Sequence, residues 1–518
     1  MAATSIASAA STMMVGQIAI KLMTFTLNQF LFQYASATSM GLTQFIKFVL
    51  GYILFLCREP IRLSVPKICG SSSVEGIVQR RQLVANFSII ITIVLFSAIG
   101  LPTIYTQLMR NTDLITSVFK PLLLTMLIIL AAIIELLSEP YYDINQYLHL
   151  NFAKRTRIES IATFGRCVIQ FTATIAFSKL WKGAGFADSN FVFGYAFSQL
   201  GYAAIVSSLY LTNQQLLFPH KVADHYLEAS ASSYFKSIFL QQIAKYFLTE
   251  GDKILVNFLL PVHIQGYYSI ITDYGSLLAR LLFMPIEEAV RISMTATFES
   301  HEISAAKRKE ALNNTISAIF KLYTYTLTLL ILFAPSSTSY IVKILFKRFN
   351  SDATLIWCFK LYWYYTPFLA VNGIAEALFN SVFHDSKDAD TYSKVMIFNS
   401  LFFFINTYIF VHTFELGLSG LIYSNMVNML MRILFCTFKL SSYIELSSSD
   451  VVHYFPLVVI FLFTIPIQNY LFNGSEVRNF KDFLENFGIG LFVLLLIIHR
   501  ERSILKKFIT KRINSKID

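Results

Sequence analysis

A chain of 518 residues in which 55% are hydrophobic and only 14% charged, with a mean hydropathy of +0.57, has far too much apolar surface for a water-soluble core. Its formal charge of +11 would point to nucleic acid in a soluble protein, but here much of it sits in short loops and the tail, as the positive-inside rule requires, so no nucleic-acid partner is expected. What remains is an all-α polytopic membrane protein with membrane lipid as its solvent.

Runs of roughly 20 apolar residues between polar breaks, the length that crosses a bilayer as a helix, predict fourteen spans. They fall at 11–35, 38–57, 82–108, 116–141, 157–180, 190–212, 237–261, 264–290, 312–334, 354–380, 392–414, 417–439, 451–472 and 482–500. The N-terminal segment lacks the basic start of a signal peptide, so the first span is expected to be retained. Placing the N-terminus in the cytosol puts most loop Lys and Arg on that side, together with the tail after Ile498, and so predicts two cytosolic termini. Lys343, Lys347 and Arg348 fall on the opposite side; either an interfacial helix lies at 338–349 or the count shifts there.

In the first helix Lys21, Thr24 and Asn28 are spaced i, i+3, i+7 and share one face. Polar side chains there act either as glue between helices or as a phosphate contact through the lysine. Arg58 and Arg62, at the end of the second helix, are i, i+4; they suit anchoring to headgroups or bidentate recognition of a diphosphate, and Pro60 between them is expected to distort the helix end. The fourth helix ends in Glu135 to Glu139.

The seventh and eighth helices carry the densest set of charges: Lys245, Glu250, Asp252, Lys253, Asp273, Arg280, Glu287, Glu288 and Arg291. Charges kept in apolar spans are expected to pair or to face water and cargo. Gly251 within Glu250-Gly251-Asp252-Lys253 fits a kinked or locally unwound segment lining a cavity. Arg280 has Asp273 two turns before it and Glu287 two turns after; these side chains either neutralise charges on the seventh helix in a structural ion-pair network or line a polar cavity for an anionic headgroup.

Spacing also reveals an internal repeat. Gly41 precedes Pro60-Ile61 by the same interval that separates Gly266 from Pro285-Ile286, with Gly51 and Gly275 in between. Ile134-Glu135 to Glu139 matches Asn372-Gly373 to Glu376 less tightly. Two six-helix lobes in the same orientation, followed by two further helices, is the implied architecture. Its parts are an N-terminal lobe at 1–212, a cytosolic linker at 213–236, a C-terminal lobe at 237–440, and the extra helices with a basic tail at 441–518.

Signatures of catalysis are thin. Cys57, Cys69, Cys167, Cys358 and Cys436 form no C-x-x-C pair and read as free thiols; Asp388-Ala389-Asp390 reads as a solvated loop, and His220 and His225 lack metal-ligand spacing. No Walker motif or Gly-rich phosphate loop is visible, so neither an enzyme nor a cofactor or metal site is expected. Of the sequons at Asn86, Asn313 and Asn473, only the last falls in a predicted luminal loop.

Several of these segments, in this order, resemble the "requiring fifty-three" family, the endoplasmic-reticulum branch of the multidrug, oligosaccharidyl-lipid and polysaccharide exporter superfamily. The stretches that carry the resemblance include Lys21-x-x-Thr24-Phe25-x-Leu27-Asn28, Cys57-Arg58-Glu59 and Glu135-Leu136-Leu137-Ser138-Glu139-Pro140. With them go Leu248-Thr249-Glu250-Gly251-Asp252-Lys253, Gly275-Ser276-Leu277-Leu278-Ala279-Arg280, Pro285-Ile286-Glu287-Glu288 and Asn372-Gly373 to Glu376. Lys21 stands where the family commonly has arginine, which keeps the charge but loses the fork.

The resemblance implies fourteen transmembrane helices, two six-helix lobes around a central cavity, in the endoplasmic-reticulum membrane. It implies action in N-glycosylation on the dolichyl-diphosphate oligosaccharide of five mannoses and two N-acetylglucosamines, with other N-glycosylation proteins as partners. On that basis Lys21, Arg58, Arg62, Lys253, Arg280 and Arg291 are assigned to the diphosphate. Asn28, Glu139, Glu250, Glu287 and Glu376 complete the substrate-binding set. A second hypothesis is an ion-coupled exporter of small organic cations on the same fold, which needs a protonatable carboxylate such as Glu250 or Asp273.

Overall fold

The computed structural model describes residues 26–32, 34–69, 76–110, 121–149, 151–181, 187–212, 214–222, 225–299, 304–346, 352–383, 386–441, 443, 466–468, 470–472 and 476–502. Among these the chain is helical, and the only β pairing is an isolated bridge between Val222 and His225. We number the long helices α1 (Ala37–Cys69), α2 (Ile77–Gln107), α3 (Pro121–Leu148), α4 (Lys154–Leu180), α5 (Asp188–Leu211) and α6 (Ala229–Leu259). They continue as α7 (Val262–Glu299), α8 (Ala305–Leu345), α9 (Ala353–Val382), α10 (Thr391–Thr413), α11 (Gly417–Leu440) and α12 (Phe480–Arg500). Ten of them, all but α6 and α9, are long and apolar enough to cross a membrane. The protein is therefore a multi-pass membrane protein. Each matches a predicted span in order; the predicted first and thirteenth helices fall largely outside the described residues.

Helix ends differ from expectation because hydropathy marks where hydrocarbon stops, whereas backbone hydrogen bonding carries a helix beyond it. α1 runs to Cys69 with Pro60 and Pro66 inside it, so Pro60 sits within the helix rather than at its end. α8 is 41 residues long, roughly 60 Å at 1.5 Å per residue, about twice the hydrocarbon thickness. Residues 338–345 thus continue α8 and no separate interfacial helix starts there; Lys343 occupies its last turn. α6 passes through Gly251 without unwinding, since one glycine costs only about 1 kcal/mol in a helix interior.

Two compact units emerge, Met1–Ser269 and Ile270–Asp518, with the division falling inside α7. In the first, α4 and α3 pack on α5, while α6 and α2 pack on α1, around a core containing Ile53, Ile61, Val65, Val84 and Phe87. In the second, α11, α8 and the end of α7 pack on α9, around Phe283, Leu312, Tyr323, Ala370 and Phe379. α12 is fastened to α8 by polar side chains: Asn486 Nδ2 donates to Ser336 Oγ at 3.0 Å and Ser337 Oγ at 2.9 Å, and Gln468 Nε2 donates to Asn486 Oδ1 at 2.9 Å.

The repeated glycines have a geometric reason. A Cβ on Gly41 would lie 1.9 Å from the Val262 carbonyl oxygen, and one on Gly266 would lie 2.0 Å from that of Ala37, so α1 and the start of α7 cross with backbones in contact. α7 also contains a π-helical turn, Ala279–Phe283, immediately before Met284-Pro285.

Candidate intramembrane charge clusters

Arg58 and Arg62 share a face of α1 one helical turn apart, as do Glu135 and Glu139 on α3. The α3 helix is interrupted at Ser138 and restarts with Pro140 in its first turn, which presents both carboxylates toward α1. Arg58 Nη1 lies 2.8 Å from Glu135 Oε1 and its Nε 3.0 Å from Glu139 Oε2. Arg62 reaches Glu139 through Nε at 2.5 Å and Nη2 at 3.2 Å, and its guanidinium carbon sits 3.9 Å from the centre of the Tyr142 ring. Only 1% of the Glu139 side chain is exposed. One turn on, the fully buried Asp143 accepts from Ser88 Oγ at 2.5 Å. Two cations and two anions thus neutralise one another inside the first unit.

The second unit builds its counterpart from the repeated motifs. Arg62 and Glu287 occupy the same place after Pro60-Ile61 and Pro285-Ile286, yet carry opposite charge. Glu287 has no hydrogen bond or ion pair among the described residues and its carboxylate rests against Gly373, where a Cβ would come within 1.9 Å of Oε1. Glu376, one turn further along α9, accepts from Asn372 Nδ2 and Arg432 Nη1, both at 3.2 Å. Asn372 Oδ1, Tyr323 Oη and Arg432 Nε in the same core are buried without hydrogen-bond partners. Arg432 was missed by sequence reasoning; a lone arginine inside the apolar run 417–439 is the same signal that singled out 241–291, and would have found it.

The remaining residues of the expected set are placed separately. Glu250 and Lys253 form an i, i+3 ion pair on α6 and are partly exposed, and Tyr268 donates a hydrogen bond to the neighbouring Asp252. Arg280 is exposed and its Nη2 donates to the Asp273 backbone carbonyl. The π turn at Ala279–Phe283 offsets the helical register, and Glu287 faces Gly373. Arg291 pairs with Glu288 at 2.6 Å on an exposed face. Asn28 is exposed, and Lys21 lies outside the described residues.

The family model "Rft-1: Rft protein" matches residues 5–511. The chain belongs to the Rft family. Among curated Rft relatives, the "Man(5)GlcNAc(2)-PP-dolichol translocation protein RFT1" of Candida albicans is 31% identical, over 95% of this chain and 93% of its own. The protein of the same name from Saccharomyces cerevisiae is 30% identical over 97% and 95%. Of solved structures, "Lipid II flippase MurJ, inward closed conformation" superposes with a TM-score of 0.61 at 15% identity, covering 94% of this chain and 99% of that one. That likeness concerns the fold. The motif-based resemblance and the whole-chain match therefore name the same family.

Proposed function

We propose that this protein translocates, or supports the translocation of, the dolichyl-diphosphate oligosaccharide of five mannoses and two N-acetylglucosamines from the cytosolic to the luminal leaflet of the endoplasmic-reticulum membrane. The observation that carries this reading is the near full-length match to relatives named for that translocation, with 93% and 95% of their lengths aligned. Charged side chains held within apolar helices are the physical requirement of the task, because a diphosphate and seven sugars need a polar path while the polyprenyl tail stays in lipid. In this reading the two kinds of charge divide the work. Arg58, Arg62 and Glu139 satisfy one another and hold α1 to α3, whereas the more exposed Lys253, Arg280 and Arg291 are reachable by a headgroup.

The test is reconstitution of the purified protein in liposomes with the oligosaccharide lipid, scoring its access to a probe outside the vesicle. Accelerated exchange over empty vesicles is expected for a translocator. No acceleration, combined with defective glycosylation in cells lacking the protein, leaves the supporting role; no acceleration with intact glycosylation overturns the reading.

A further inference from the structure

A cavity of about 600 Å³, within the roughly 300–1,000 Å³ typical of small-ligand sites, opens in the first unit between α2, α3 and the chain that leaves α5. Its walls are hydrocarbon from Ile89, Ile93, Phe96, Leu137, Leu216 and Phe218. Ile93, Leu137, Leu216 and Phe218 are each at least 60% exposed, so the mouth is itself apolar and suits bilayer rather than water. Three lining groups depart from this pattern: Ser97 is exposed, the Tyr141 hydroxyl is hydrogen-bonded to the Gln215 carbonyl and the Leu217 amide, and Thr92 is 6% exposed with its Oγ1 buried. The exposed Ser97 hydroxyl is the one that can donate to an ester carbonyl entering the cavity.

The rim is basic. Gln214, between the lining residues Leu211 and Leu216, accepts from Arg81 Nη2 at 2.9 Å, and Arg81 Nε is buried without a hydrogen-bond partner. The exposed Lys221 follows the lining Pro219 by two residues, within about 7 Å along the chain. Neither 76–82 nor 214–222 contains an Asp or Glu. Phe218, His220 and Tyr226 are also held to α2, since Gln82 Nε2 donates to the Phe218 carbonyl and Asn86 Nδ2 to those of His220 and Tyr226. Hydrocarbon inside, an exposed hydroxyl in the wall and two cations near the lining segments match the three parts of a phospholipid: chain, ester and phosphate.

We infer that this cavity is a binding site for an anionic glycerophospholipid, with an acyl chain between α2 and α3 and its phosphate met by Arg81 and Lys221. Such a lipid would seat the connection between α5 and α6 against the first unit. The site is separate from the charged clusters and needs no step of oligosaccharide transfer.

The experiment uses the purified full-length protein in detergent with phosphatidylinositol or phosphatidylcholine probes carrying a diazirine in one acyl chain. Crosslinks to peptides covering 89–97 and 211–219 are expected with phosphatidylinositol, falling about fivefold in Lys221→Ala, the value of one basic residue at a membrane surface. Ser97→Trp, which narrows the mouth, is expected to abolish them. Unlabelled phosphatidylinositol should compete in the unaltered protein, so the outcome does not depend on a variant that fails to fold. Equal labelling by both probes with no competition, or preferential labelling by a diazirine dolichyl phosphate, overturns the proposal.

Discussion

Arg62 Nε and Glu139 Oε1 lie 2.5 Å apart between α1 and α3, and the carboxylate is almost entirely removed from solvent. Removing one member strands a buried charge. Arg62→Ala or Glu139→Ala is therefore expected to destabilise the protein by about 3–5 kcal/mol, read as a lowered unfolding midpoint in detergent. The double variant Arg62→Met, Glu139→Leu is expected to recover most of the loss, since Arg58 retains Glu135 at 2.8 Å. A double variant as unstable as the worse single would assign the defect to packing instead.

Gly373→Ala collides with a side chain, and Gly41→Ala with backbone. For Gly373 the obstacle is the Glu287 carboxylate, so Glu287→Ala should relieve it, with a coupling of about 0.5–3 kcal/mol in a double-mutant cycle. Additive effects would count against the contact.

No rotamer change relieves Gly41→Ala or Gly266→Ala, because carbonyl oxygens stand in the way at 1.9 and 2.0 Å. Each is expected to cost about 1–3 kcal/mol or more. Gly51, in the same helix with nothing within 4 Å of its would-be Cβ, is the control: Gly51→Ala should be neutral or stabilising by up to about 1 kcal/mol. Thermal unfolding of the three variants side by side checks the contrast.

Arg432→Ala takes the guanidinium away from Glu376, and Glu376→Gln removes the charge that needs it. Arg432→Ala alone is expected to impair glycosylation in cells more than the pair Arg432→Ala, Glu376→Gln does, scored by the mobility of a glycoprotein reporter. Equal impairment would mean that Arg432 acts other than through Glu376.

Ahead of α12, the hydrogen bond from Lys360 and its charge hold the Glu476 carboxyl below its ordinary value of 4.5. A carboxyl with a lowered folded-state pKa contributes stability that is present above the unfolded value and lost as pH falls through the folded one. The difference in unfolding midpoint between the unaltered protein and Glu476→Gln is therefore expected at neutral pH, should begin to shrink near the unfolded carboxylate value of about pH 4, and should vanish only once the pH has fallen through the lower folded-state value.

Much of this arrangement was legible in the sequence because lipid forces apolar runs of fixed length, and the order of the described helices follows from those runs. The pairing of the repeat glycines was legible as spacing, though not that Gly41 and Gly266 would lie at one crossing. What stayed hidden were partners. Arg58 and Arg62 are the same two arginines whether they meet headgroups, a diphosphate or Glu135 and Glu139, and only the approach of α3 to α1 decides. Arg432 lies in none of the sequence motifs, and its pairing with Glu376 is visible only in the structure. The π-helical turn at Ala279–Phe283 leaves no mark in the apolar pattern, so the relative phase of Arg280 and Glu287 on α7 is visible only in the structure.

The π-helical turn in α7 governs how the chain tolerates length changes there. A π-helical turn is equivalent to one extra residue inserted into an α-helix, and each residue advances the helix by about 100°. Deleting a single residue from Ala279–Phe283 would leave the composition and hydropathy of α7 almost untouched while rotating Met284–Glu299 by that angle relative to what precedes it. Glu287 would swing away from Gly373, and an exposed face would turn toward α9. The five residues of this turn act as a phase setting for half a helix, so here the chain should be far less forgiving of a one-residue deletion than of most substitutions.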